Sequence, residues 1–285
     1  MKIDYKIAAV SLMLLSSIAF AQDNGPRQAQ PPSEPIYVSQ NENTDTSSPA
    51  SLSKENRTKL ATAADAFENG DYKTSFPIIQ SLAELDIPAA QYLLGVSYFE
   101  GAGVSKDQVE AVRWYRKAAD QGNLWAENNL GACYDNGWGV GLDKAEAVRW
   151  YRKAADQGDA RAQHNLGKHY FNGHGVEKNL KEAARWFHKA AGQGMPAAQF
   201  ALGRAYSLGE GLAADQAEGT RWIGKAASQG HVPAQYILGT RYHMGAGVKA
   251  DLSRALYWYS RAAERGHQSG ANMAQKLSAQ GVKLP

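Results

Sequence analysis

From residue 87 onward, large apolar residues return to the same places every 36 positions. Trp114, Trp150, Trp186, Trp222 and Trp258 form one series, and Tyr98, Tyr134, Tyr170, Tyr206 and Tyr242 a second. The Leu-Gly pairs at Leu94-Gly95, Leu130-Gly131, Leu166-Gly167, Leu202-Gly203 and Leu238-Gly239 form a third. Three series in one register mark a tandem repeat, in which no single unit can bury its own apolar face. Inside one unit, Ala126, Leu130 and Tyr134 recur at intervals of four and share one face of a helix. Gly137 ends that helix, and Gly139-Val140 carries the chain round. Asp143 then caps a second helix, whose apolar stripe is Ala147, Val148, Trp150, Tyr151, Ala154 and Ala155, and Gly158 ends it. The cap position recurs as Asp107, Asn179, Asp215 and Asp251.

The pattern predicts an all-α fold, a solenoid of antiparallel helix pairs. Glycine in mid-helix costs about 1 kcal/mol relative to alanine. Five such glycines, Gly95, Gly131, Gly167, Gly203 and Gly239, therefore imply that helices approach too closely there for any side chain. The five series tryptophans are expected in the stacked core with them. Residues 56–86 read as a degenerate first unit with a shorter turn, 87–266 as the full repeats, and 267–285 as a closing piece around a lone helix at 268–278. Terminal units of a solenoid are atypical because one face meets water.

The N-terminus has a different pattern. Lys2 and Lys6 precede an apolar run from Ile7 to Ile18, and Ala19-Phe20-Ala21 supplies a small-residue cleavage site. This predicts a signal peptide over 1–21, cut after Ala21, and a periplasmic or secreted protein with no stable membrane insertion afterwards. Residues 22–55 are rich in Gln, Asn, Ser, Thr and Pro and read as a disordered linker.

Charge and composition change little. Net charge is +3 for the whole chain, too small to suggest a nucleic-acid partner. Cys133 is the only cysteine, so no intramolecular disulfide forms. It is expected to be a half-buried thiol.

The run Ala-x-x-x-Leu-Gly-x-x-Tyr-x-x-Gly-x-Gly-Val, followed by Asp and Ala-x-x-Trp-Tyr-x-Lys-Ala-Ala-x-Gln-Gly, stands here as Ala126 to Gly158. It resembles the Sel-1-like repeat (SLR) family, relatives of tetratricopeptide repeats. The resemblance implies a right-handed superhelix acting as an adaptor in protein complexes, and bacterial members are often exported. Small departures are Asn179 for Asp, Phe187 and Ile223 for Tyr, Arg265 for Gln and Leu212 for Val. A cysteine-rich branch of the family carries a disulfide in each repeat and is linked to β-lactam binding. Those cysteines are absent here.

In helix pairs of this kind the first helix lines the concave side, so its non-repeating positions are the candidate contacts. Tyr92, His164, Phe200 and Tyr236 lie in one row, and Lys168, Arg204 and Arg241 make a basic ladder beside them. Basic and aromatic groups together suit a peptide bearing carboxylates. Trp125 and Trp138, outside the series, are candidate exposed anchors. No cofactor, metal site or catalytic residue is expected. His164, His169 and His174 are five apart, which rotates each off the previous one's face. Ser51-Leu52-Ser53-Lys54 matches the S-x-x-K of penicillin-binding serine enzymes without a KTG partner. The expected function is a non-catalytic scaffold with a protein or peptide partner in the envelope or outside the cell. The alternatives are a hydrolase of β-lactams or cell-wall peptides, and a peptidoglycan- or glycan-binding module.

Overall fold

A computed structural model describes residues 52–285. The expected signal peptide and the expected linker up to residue 51 lie outside the described residues. The described residues hold thirteen helices and no strand. In chain order these are α1 (Lys54–Glu68), α2 (Tyr72–Glu84), α3 (Pro88–Glu100), α4 (Gln108–Asp120), α5 (Leu124–Asn136), α6 (Lys144–Asp156) and α7 (Ala160–Asn172). There follow α8 (Leu180–Gly192), α9 (Pro196–Leu208), α10 (Gln216–Ser228), α11 (Val232–Met244), α12 (Leu252–Ala263) and α13 (Gln268–Ala279). Helix α1 starts two residues before the expected boundary, because Ser53 caps it by accepting the Asn56 N–H at 3.1 Å. Ser53 and Lys54 of the S-x-x-K match are thus part of a helix start. The closing helix is α13, within a residue of its expected span.

The described residues divide into two compact units. One comprises 52–166 with 173–177, the other 167–172 with 178–285. The core of the first is built from Ile79, Leu82, Leu94, Tyr115, Leu130 and Trp150, among others. That of the second is built from Phe200, Ile223, Ile237, Leu238, Tyr259 and Leu277.

Each helix pair is closed by the same local devices. The expected caps form: Asp107, Asp143 and Asp215 each accept two backbone N–H groups at 2.9–3.0 Å, and Asn179 and Asp251 accept one each. The backbone N–H of each cap residue donates to the carbonyl of the series tyrosine nine residues before it. Asp143 to Tyr134 is 2.9 Å, and the other four are 2.8–2.9 Å. Loop length is thereby fixed.

The mid-helix glycines do what their cost implied. A Cβ on Gly131 would lie 2.8 Å from the Tyr151 ring, and one on Gly167 2.6 Å from the Phe187 ring. At Gly203 it would meet Ile223 at 2.7 Å and the Gly219 carbonyl at 2.8 Å. Each glycine lets the first helix of a pair settle on an aromatic or Ile of the second, and the repeat's departures Phe187 and Ile223 stand at this contact. The loop glycines join neighbouring pairs. Gly139 has φ +65°, and a Cβ there would collide with the Gln108 carbonyl at the start of α4. Gly175 stands the same way on Lys144, Gly211 on Leu180 and Gly247 on Gln216. A side chain is excluded at the mid-helix contacts chiefly by the ring or Ile of the second helix, and at the loop contacts by backbone.

Candidate interaction surface

The tryptophans of the series pack as core with one refinement. Trp150, Trp186 and Trp222 are buried, while Trp114 and Trp258, in the first and last full repeats, are half-buried against their cores. The outer face of four of them is roofed by the lysine three residues on. Lys117, Lys153, Lys189 and Lys225 sit 3.8–4.0 Å from the ring centroids. Such a cation–π contact is worth about 0.5–1 kcal/mol at an exposed position. Helices α4, α6, α8 and α10 also expose an Arg-on-Glu pair at i, i+3. Arg113, Arg149, Arg185 and Arg221 keep 64–78% of their side-chain surface in solvent.

The first helices are far more enclosed than their sequence suggests. Residues 90–97 of α3, 198–205 of α9 and 234–241 of α11 are buried without a break. Tyr92, Phe200 and Tyr236 are buried in aromatic contacts and do not line an open groove. Tyr92 lies 6.0 Å from Trp125, Phe200 5.0 Å from His231, and Tyr236 stacks on His267 at 4.4 Å. His164 is likewise buried. The basic ladder is also corrected: Arg204 and Arg241 are only 5% and 3% exposed, whereas Lys168 is half-buried.

Arg241 shows why. Its Nη1 donates to Thr220 Oγ1 at 2.8 Å and Gln216 Oε1 at 3.1 Å, and its Nη2 donates to Ser207 Oγ at 2.6 Å. All these partners are neutral, and burial pulls its pKa down to about 10. The long arginine stem packs while the head finds oxygens in the preceding repeat. Arg204 lies among Phe171, Phe187, Ala201 and Glu210. Burial lowers its pKa against the opposing pull of Glu210, whose own carboxyl is raised by burial.

Trp125 and Trp138 are half-buried, so each is partly packing. Trp125 leans on Tyr92, and Trp138 meets Phe99 edge-on at 5.6 Å. Cys133 is fully buried rather than half-buried, and burial pushes its thiol up to about 12. Among the described residues no group of three His, Cys, Asp or Glu is placed to hold a metal ion, His164, His169 and His174 included.

One recurrent feature was missed from sequence. The fourth residue of each first helix is Gln91, Glu127, Gln163, Gln199 or Gln235, and all five are buried. The glutamine that ends the second helix of the pair reaches back to it: Gln121 to Gln91 at 2.9 Å, Gln157 to Glu127 at 2.7 Å, Gln229 to Gln199 at 2.8 Å. Gln163, Gln199 and Gln235 also donate to the alanine carbonyl eight residues upstream, at 3.2–3.4 Å. The signal was a polar residue repeating every 36 positions in an otherwise apolar stripe.

The helix pairs, their glycine contacts and this internal polar ladder define an all-α tandem-repeat protein. The Sel1 repeat family model matches residues 88–123, 126–159, 160–195, 196–231 and 232–267. The chain belongs to the Sel1 repeat family. It is similar to a protective antigen of uropathogenic Escherichia coli strains with an SLR fold, at 34% identity and a TM-score of 0.74. That match covers 80% of this chain and 50% of the antigen, so the chain spans about half the length of that relative. A Sel1 repeat protein from Oxalobacter formigenes matches at 34% identity and a TM-score of 0.71, over 76% of this chain and 86% of its own. No match is found among curated proteins.

Proposed function

We propose that the protein is an exported, non-catalytic scaffold that holds a protein or peptide partner in the cell envelope or outside the cell. The observation that carries this reading is the division of labour within each repeat. Polar groups of the first helices are spent inside the fold, on the glutamines that end the second helices and on the preceding repeat, while the second helices expose Arg113 and Arg149 in one compact unit and Arg185 and Arg221 in the other. Within each unit, rigid helices that present such groups lower the ordering cost of binding. Lys168, Trp125 and Trp138 keep part of their surface and remain the contact candidates from the first helices and their loops. Export is supported by the positive start, apolar run and cleavage site at the N-terminus. It also fits a relative that is a protective antigen.

The test is to express the full chain with a C-terminal tag, fractionate the cells, sequence the N-terminus and crosslink in the envelope. The expected result is a chain beginning at Gln22 outside the cytoplasm, with a protein adduct weakened in a Trp125→Ala/Trp138→Ala variant of unchanged circular dichroism. An uncut chain in the cytoplasm would remove the export. Hydrolysis of a chromogenic β-lactam by the purified protein would replace the scaffold with an enzyme. Muropeptide binding without a protein adduct would favour a glycan-recognising module.

A further inference from the structure

Glu127 is the one acid at a position that is glutamine in the other four full repeats, and it is 3% exposed. It accepts the Gln157 amide at 2.7 Å, as Gln91 and Gln199 accept their partners. Its counterparts Gln163, Gln199 and Gln235 use their second atom, an N–H, to donate to the alanine carbonyl eight residues earlier. By register the carbonyl opposite Glu127 is that of Ala119, at the end of α4. A neutral carboxyl has the shape of glutamine's amide and an O–H in the donor's place. A carboxylate has acceptors only and sets a negative charge against a carbonyl oxygen.

We propose that Glu127 makes the contact between α4 and α5 a proton-sensing joint, closed when the carboxyl is neutral and loosened when it ionises. The charged surroundings agree. Lys153 of α6 is the cation acting on Glu127, and it also lies over Trp150. Asp120, ending α4, is exposed. At the start of α7, Asp159 is engaged with Arg161 at 3.6 Å and with the Ala162 N–H at 2.6 Å. Burial outweighs Lys153 and Gln157 and raises the Glu127 pKa to about 7. An acid raised on folding favours the folded state below its unfolded pKa of about 4.5 and loses that advantage as pH rises towards its folded value. The stability advantage therefore declines between about pH 4.5 and 7, and the joint itself loosens as the carboxyl ionises near pH 7.

Two measurements on the full chain test this. Carbon-detected NMR of the Glu127 carboxyl should give a midpoint near 7, and urea unfolding of wild type and Glu127→Gln should be followed from pH 5 to pH 8. The glutamine variant should pull ahead as pH rises, by at least tenfold and at most about 300-fold in the folding equilibrium constant. Amide exchange at Ala126–Leu130 in the wild type should quicken over the same range beyond its intrinsic pH dependence. A carboxyl midpoint in the ordinary glutamate range, or stability curves that stay parallel, overturns the proposal.

Discussion

At the scale of single residues, glycines with the same backbone sign carry different loads. Gly139 and Gly158 both have positive φ, but a Cβ at Gly139 would meet the Gln108 carbonyl whereas one at Gly158 would have nothing within 4 Å. Gly158→Ala should cost about 1 kcal/mol, the strain of a left-handed residue alone. Gly139→Ala should cost about 3 kcal/mol or more, because the loop must leave its seat. Urea unfolding of the two variants separates the effects. Arg241 offers a second contrast. Arg241→Ala should lose about 2–4 kcal/mol and Arg241→Met distinctly less, since methionine keeps the packed stem and removes a buried charge that has only neutral partners. The burial of this arginine was legible only in combination. Where Arg241 replaces the Ser97, Cys133, His169 or Ala205 of other repeats, Ser207 replaces a Phe or Asp and Thr220 an Ala or Val. One residue grew as its neighbours became smaller or more polar. Read one position at a time, an arginine, a lysine and a histidine in a row look like surface.

At the scale of elements, caps and periodic apolar stripes were plain in the sequence, since they depend on local chemistry repeated five times. The enclosure of the first helices was not, since it depends on what the neighbouring repeat brings. Helix starts also differ in a way that pH can read. His231 and His267 cap α11 and α13 by accepting the Ala234 and Gly270 N–H groups on Nδ1, at 3.3 and 3.0 Å. A protonated ring cannot accept, and it brings positive charge to a helix N-terminus. Burial depresses the His267 pKa, so the cap's contribution is present above about pH 6.5 and is lost as pH falls through the folded value. Amides of α13 should exchange faster at pH 5 than their intrinsic rates allow for, relative to pH 7.5. His267→Asn, an equally good cap with no titrating ring, should abolish the difference.

At the scale of the molecule, adjoining helix pairs are held by a loop glycine resting on the backbone of the pair before it. The nearest group at that seat is a backbone carbonyl in Gly139, Gly175, Gly211 and Gly247 alike. The second helices of two successive repeats already share an unbroken run of thirteen residues, Glu110–Gly122 and Glu146–Gly158. A protein so built can change its reach in whole modules while keeping this backbone seat, and only the side-chain contacts at the new junction need to adjust. Copying residues 124–159 in tandem should give a longer chain that melts no lower than the parent. One alanine inserted after Gly141, which shifts the loop off its perch, should lower the melting temperature sharply. Growth by duplication is thus written into the backbone, and the freedom to diversify is left to the side chains.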